Sequence, residues 1–375
     1  MNSQPVAPTP DTRGVRIAVD AMGGDHGPGE IIPGALDHAA SHVGDQVILV
    51  GDEARILEIA GTLPANVRIV HASQVVGMDE HPAKSLREKK DSSILVACDL
   101  VRGGEADAVL TAGHTGAGMA AAILRIGRIP GVDRPALAIQ MIRRGAPFVL
   151  LDIGANPDST AANLAQYARM GAIFAEQVLG IAEPRVALLS IGEEKGKGDL
   201  RIQAATELLD QSGLRFVGNV EGRDLTGDLA DVVVTDAVAG NVVIKFFEGL
   251  STFIFDLFRA EFQGSLRGRL AYLLLRPGVG RIRSVFDYEQ AGGSPLLGVR
   301  GSVIITHGSA RRRMIGFGCR VAADTARTNV PGLIAAAFGA SAAGPVGQPD
   351  AQGFTPPDAA AFDPAAGSAI QAAAE

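Results

Sequence analysis

The run Val15-Arg16-Ile17-Ala18-Val19-Asp20 passes directly into AMGGDHGPG (residues 21–29), and this junction sets how the rest of the chain reads. A short β-branched run ends in a Gly/Asp cluster, and a helical stretch follows. The same order recurs at QVILVGD (46–52), VRIVHA (67–72), ADAVLTA (106–112), PFVLLDIG (147–154), RVALLSIG (185–192), RFVGN (215–219), ADVVVTD (230–236) and GSVIITHG (301–308). Helices are expected at 28–41, 53–61, 91–103, 116–127, 159–179, 200–212, 241–263, 266–275 and 310–328. The strand-like runs are apolar without alternation, which fits burial on both faces in a parallel or mostly parallel sheet. The expected fold class is therefore α/β, a three-layer sandwich.

In such sheets ligands gather beyond the carboxyl ends of the strands. The unusual polar residues fall there. Asp20, Gly23, Gly24, Asp25 and His26 follow the first run, and His114, Thr115 and Gly116 follow ADAVLTA. Asp152, Asn156 and Asp158 follow PFVLL, and Glu193, Glu194, Lys195 and Lys197 follow RVALLS. Asp236, Asn241 and Lys245 follow VVVT, and His307 ends the last run. Loops of this kind, converging on one rim, predict a catalytic site.

Composition excludes several classes. With 34 Lys+Arg against 41 Asp+Glu the formal charge is −7, and only 5% of residues are aromatic, which argues against general nucleic-acid binding. Cys98 and Cys319 cannot build a disulfide framework or a four-thiolate zinc site. No uninterrupted apolar stretch reaches the roughly 18–20 residues that span a bilayer. The N-terminal MNSQPVAPTPDTRG lacks a signal-peptide core, so the cytoplasm is the expected location. Residues 1–13 and 339–375, rich in Pro, Ala and Gly, read as disordered and leave 14–338 as the folded unit.

Other motifs allow two readings. Gly116-Ala117-Gly118-Met119-Ala120-Ala121 fits G-x-G-x-x-A at a helix start, a weak dinucleotide fingerprint without the acid expected on the next strand. The same backbone could hold phosphate, or its glycines could serve close packing. Lys84, Arg87, Lys89 and Lys90, interleaved with serines, read as an oxyanion site or as a solvated face. No metal site is expected, because Asp20, Asp25 and His26 have no HxxxH or CxxC spacing beside them. No G-x-S-x-G elbow supports a serine triad.

Between 250 and 283, Leu250, Phe253, Ile254, Leu257 and Phe258 form one helical apolar stripe, and Leu266, Leu270, Leu273 and Leu274 form a second. Six arginines from Arg259 to Arg283 oppose only Glu261. The hairpin reads as a dimer-packing element, or as a contact for anionic lipid or an acidic protein through Phe255, Arg267, Arg269, Leu275 and Arg276.

IAVDAMGGDHGP (17–28) resembles the N-terminal signature of the phosphate acyltransferases of bacterial phospholipid synthesis, the PlsX family. REKKDSS (87–93), TAGHTGA (111–117), DIGAN (152–156), IGEEKGKG (191–198), GNVEGRD (218–224), AGNVVIKFFEG (239–249) and SPLLGVRGSVIITHGS (294–309) resemble it too, in the family's order. His114 stands where the family usually has Asn, and spacing matches Lys197 rather than Lys195 to the family's lysine. The resemblance implies transfer of a fatty acyl group from acyl carrier protein to inorganic phosphate. The acyl-phosphate product would serve a membrane glycerol-3-phosphate acyltransferase. It further implies a homodimer attached peripherally to membranes, no cofactor, and a Rossmann-like fold similar to isopropylmalate dehydrogenases and phosphate acetyltransferases.

That chemistry needs little acid–base assistance, since phosphate has a second pKa near neutrality (about 6 for phosphate esters) and a thiol near roughly 8.5 leaves readily. It needs cations and N–H groups to hold the anion and the tetrahedral oxyanion. On that basis Lys197, Arg87 and the amides of 113–118 are expected to bind phosphate, with Lys90, Gly23, Gly24, Asp25, His114, Thr115, Gly116 and Asn156 in the same substrate site. Lys245 or Asn241 would polarise the thioester carbonyl and His307 would protonate the thiolate. Asp20, Asp152 and Asp236 would orient those donors. Two alternatives remain at this stage: an NAD- and Mg²⁺-dependent hydroxy-acid dehydrogenase of related fold, and a membrane-recruited scaffold without catalysis.

Overall fold

The computed structural model describes residues 14–143 and 146–339. The first expected tail and all but one residue of the second lie outside the described residues. Eleven strands form one sheet: β1 (Arg16–Asp20), β2 (Gln46–Gly51), β3 (Val67–His71), β4 (Ala108–Thr111), β5 (Ala136–Arg143), β6 (Ala146–Leu151), β7 (Val186–Leu189), β8 (Phe216–Val220), β9 (Val232–Val234), β10 (Ser294–Leu297) and β11 (Ser302–Ile305). The helices are α1 (Gly27–Ser41), α2 (Glu53–Ala60), α3 (Pro82–Glu88), α4 (Ser93–Arg102), α5 (Thr115–Arg125), α6 (Ala161–Leu179), α7 (Leu200–Asp210), α8 (Ala237–Gln263), α9 (Leu266–Val285), α10 (Arg312–Arg327) and α11 (Val330–Ala337).

All the runs read as strands become strands, but the sheet is mixed. Its order is β3-β2-β1-β4-β11-β10-β5-β6-β9-β7-β8. Three central pairings, β11–β10, β10–β5 and β5–β6, are antiparallel. The two strands that the sequence pattern did not reveal, β5 and β10, are the ones that reverse direction. The two half-sheets flanking them therefore run opposite ways.

Burial on both faces follows the strand pleat. Ile17, Val19, Val47 and Leu49 pack with α1, α2 and α10, while Ala18, Ile48 and Val50 pack with α4 and α5 on the other side. In the second half Val149, Leu151, Val232 and Val234 meet α6, α7 and α11, and Leu150 and Val233 meet Ile244 of α8. Each fully buried aliphatic side chain contributes roughly 1.5–3 kcal/mol. Helices thus cover both faces, as a three-layer sandwich requires.

The hairpin is longer than its apolar stripes suggest, running from Ala237 to Val285 through a turn at Gly264 and Ser265. Helix α8 is long and apolar enough to cross a bilayer by length and composition, although no uninterrupted apolar run is present. Its stripe residues Phe253 and Leu257, with Leu266, Leu270, Leu273 and Leu274 of α9, stay exposed in the single chain. Arg267, Arg269, Leu275 and Arg276 are exposed as well. Phe255 is half-buried and sits edge-on to Phe286, so it faces the hairpin's own seam.

Candidate active site

A cavity of about 840 Å³ opens where the two half-sheets meet. Loops after β1, β4 and β11 contribute Asp25, Thr115 and His307; loops after β6 and β9 contribute Gly154 and Ala237. The first turns of α8 add Asn241, Ile244, Lys245, Phe247 and Glu248. One wall is apolar and comes largely from β5, with Leu137, Ile139, Met141 and Ile142. The segment 287–294 closes another side and includes Tyr288.

The loops after β1, β4 and β11 are tied to one another. The amide of Asp25 donates to the Gly308 carbonyl at 2.8 Å. Gly24 has φ +87°, and a Cβ there would fall 3.0 Å from the Ala112 and Gly308 carbonyl oxygens. A Cβ on Gly23 would fall 2.8 Å from Asp20 and 2.9 Å from the Gly113 nitrogen. These glycines let three strand-end loops touch, which a side chain would prevent. Asp20 is buried and accepts from Thr111 Oγ1 at 2.7 Å; burial raises its pKa, and hydrogen bonds oppose the rise.

His114 caps α5, its Nδ1 accepting from the Gly116 amide at 3.0 Å. It thus does what an Asn side chain does at an N-cap. Gly118 lets α5 approach the sheet: a Cβ would lie 3.2 Å from Thr111 and 3.3 Å from Ile305. Close packing against the sheet therefore explains Gly118, the second glycine of the G-x-G-x-x-A pattern.

Asp152 accepts amide bonds from Leu137, Gly154, Ala155 and Asn156, and a further bond from Asn156 Nδ2 at 2.9 Å. Burial pushes its carboxyl pKa up while these donors pull it down. Asn156 also donates to the Pro135 carbonyl at 2.7 Å, so both residues brace the β6 loop. Asp236 caps α8 through the Val238 and Ala239 amides and accepts from Arg201 at 2.7 Å. Arg201 also reaches Asp199, the cap of α7, and thereby ties the starts of two helices together. Sequence reading passed over Arg201, whose only local signal is its place after a capping acid.

The polar centre of the cavity joins two helical neighbours to a strand-end histidine. Lys245 Nζ lies 2.8 Å from His307 Nε2 and 2.9 Å from Glu248 Oε2. An ammonium has three donors, so one remains for a ligand. Thr306 Oγ1 is buried in the cavity wall and has no hydrogen-bond partner among the described residues. Arg320 reaches the cavity with its guanidinium 4.9 Å above the Phe317 ring. Glu248, Thr306 and Arg320 were not picked out from sequence, because neither their spacing nor their neighbours mark them.

Three expected phosphate ligands lie elsewhere. Arg87 and Lys90 are exposed at and just beyond the end of α3, and Lys197 is exposed in the loop between β7 and α7. None of them lines the cavity. The β7 loop belongs to a strand two places further out in the sheet than β6, which separates it from the central opening.

Comparison with known proteins fits this geometry. A Streptococcus pyogenes phosphotransacetylase is similar with a TM-score of 0.58 at 18% identity, over 84% of this chain and 94% of that one. A branched-chain phosphotransacylase from Enterococcus faecalis has a TM-score of 0.54 at 16% identity, over 83% and 99%. The fold is thus that of the phosphotransacylases. The profile of a family described as "Fatty acid synthesis protein" matches residues 15–333. A "Phosphate acyltransferase" of Desulfitobacterium hafniense (strain Y51) is 49% identical over 313 residues, 83% of this chain and 93% of that protein. One from Heliobacterium modesticaldum is 46% identical over 319 residues, 84% and 95%. The chain belongs to the phosphate acyltransferase (PlsX) family.

Proposed function

We propose that residues 14–338 form a catalytic unit that transfers a fatty acyl group from acyl carrier protein to inorganic phosphate in this cavity. The observation that carries the reading is the Lys245 ammonium, with a donor to spare, beside the apolar wall of a cavity of about 840 Å³. A phosphate oxygen attacks the thioester carbonyl, the C–S bond breaks, and acyl-phosphate and the carrier thiolate leave. Lys245, assisted by Asn241, stabilises the carbonyl oxygen as it gains charge, an effect worth about 3–4 kcal/mol per donor. His307 stands beside it, its Nε2 placed to hold the ammonium, and the thiolate takes its proton from solvent.

The product suits phospholipid synthesis by a membrane glycerol-3-phosphate acyltransferase, and a cytoplasmic enzyme attached peripherally would hand it over at the bilayer. The exposed leucines of α9, with Arg267, Arg269 and Arg276 among them, support membrane contact and the packing of a homodimer through the hairpin. The test is incubation with palmitoyl-acyl carrier protein, with and without phosphate, trapping acyl-phosphate as a hydroxamate. Hydroxamate formed only with phosphate is expected; carrier release that ignores phosphate removes the proposal.

A further inference from the structure

The Lys245–His307 contact is anchored at both ends. Glu248 lies at 2.9 Å from Lys245, and His307 Nδ1 lies 2.7 Å from Ser309 Oγ. Glu248, Lys245, His307 and Ser309 thus form one hydrogen-bonded line drawn from α8 and the loop after β11.

Proton counting orders that line. A lysine ammonium only donates, so His307 Nε2 at 2.8 Å must offer its lone pair. The neutral ring then carries its proton on Nδ1, and the acceptor within reach is the Ser309 hydroxyl. The Ser309 amide also approaches Nδ1, at 3.2 Å, and taken alone would favour the other tautomer. That tautomer would set two donors against each other across the shorter Lys245 contact.

We infer that Ser309 and Glu248 are positioning residues for acyl transfer, Ser309 fixing the Nδ1–H tautomer of His307 and Glu248 holding the Lys245 ammonium with its third N–H free for the substrate. The kinetic half of this inference rests on the proposed acyl transfer, whereas the tautomer half rests on geometry alone. Asp25, Asp287, Tyr288 and Arg320 face the same space and share its electrostatics.

The test pairs nitrogen-15 NMR of the histidine rings with kinetics on the full chain. In the unsubstituted protein His307 is expected to be protonated on Nδ1. Ser309→Ala should shift the ring toward Nε2–H and lower kcat about tenfold with KM for phosphate within twofold, and Ser309→Thr should restore both. Glu248→Gln should lower kcat by a similar factor with KM for phosphate within twofold, and Glu248→Asp should recover kcat. An Nε2–H ring in the unsubstituted protein, or a tautomer and kcat indifferent to Ser309→Ala, overturns the inference. If no phosphate-dependent transfer occurs at all, the functional proposal falls with the kinetic half, and the NMR result alone then upholds or overturns the role of Ser309.

Discussion

The two halves of α8 share one apolar periodicity and occupy different surroundings. From Ala237 to Glu248 the helix is capped by Asp236, buried at Gly240 and Ile244, and holds Lys245 against His307. Beyond Gly249 the stripe continues through Phe253 and Leu257, which no described residue covers. Apolar spacing therefore marks a helix face without saying what that face meets. The first half meets the sheet and builds a site, and the second half offers a surface.

Lys245→Ala should give the largest effect in the first half, lowering turnover 10²–10³-fold, about 3–4 kcal/mol of transition-state stabilisation. The hydroxamate assay reads it, and near-normal turnover would strip the first half of its chemical distinction. Acid should act elsewhere. His38, near the end of α1, has its pKa lowered to about 4, mainly by burial and then by His42, whose ring stacks 4.3 Å away; Asp45 opposes the shift. The unfolded ring titrates near 6.5, so the unfolded chain binds the proton first as pH falls. Stability from this group is complete above about pH 6.5 and is lost toward pH 4, by at most ~3 kcal/mol. Urea midpoints at pH 7 and pH 4.5 measure the loss, and His38→Gln should flatten it while Lys245→Ala should not.

One substitution made twice sharpens the contrast within α8. A Cβ at Gly240 would fall 2.0 Å from the Asp152 carbonyl oxygen, whereas at Gly249 nothing lies within 4 Å. Gly240→Ala should cost about 1–3 kcal/mol by overpacking and slow turnover as the helix is pushed from the sheet. Gly249→Ala should be neutral or stabilise by up to roughly 1 kcal/mol through helix propensity. Equal effects in urea unfolding would erase the difference between the halves. The smallest change is expected for Leu270→Gln with Leu274→Gln: stability within about 0.5 kcal/mol and unaltered kcat on soluble substrate, but reduced flotation with anionic vesicles.

Much of this was legible from local pattern. Strands followed by helices announce themselves because β-branched runs, glycine turns and amphipathic stretches each have a local physical cause. Strand β5, followed by another strand, and β10, which begins just after a 3-10 turn and ends in another strand, gave no such alternation. Their register depends on partners more than a hundred residues away in the case of β10 with β5. Asn241, Lys245 and His307 were picked out as strand-end polar residues and do meet in the cavity. Lys197 was picked out on the same ground, and Arg87 and Lys90 from a run of cations interleaved with serines; none of the three lines the cavity, because charge in a loop says nothing about which way that loop faces. Glu248 and Ser309 went unnoticed since their significance lies in contacts at 2.9 Å and 2.7 Å to other side chains.

Residue order alone established the α/β class, the glycine turns and the family motifs, since each arises from neighbours within a few positions. The assembled fold settled that the sheet reverses direction at its centre, that a cavity with one apolar wall and a polar centre opens where its halves meet, and that Lys245 and His307, sixty-two positions apart, share a hydrogen bond. Those outcomes depend on packing between distant segments, where burial and hydrogen-bond geometry select partners that no local propensity encodes.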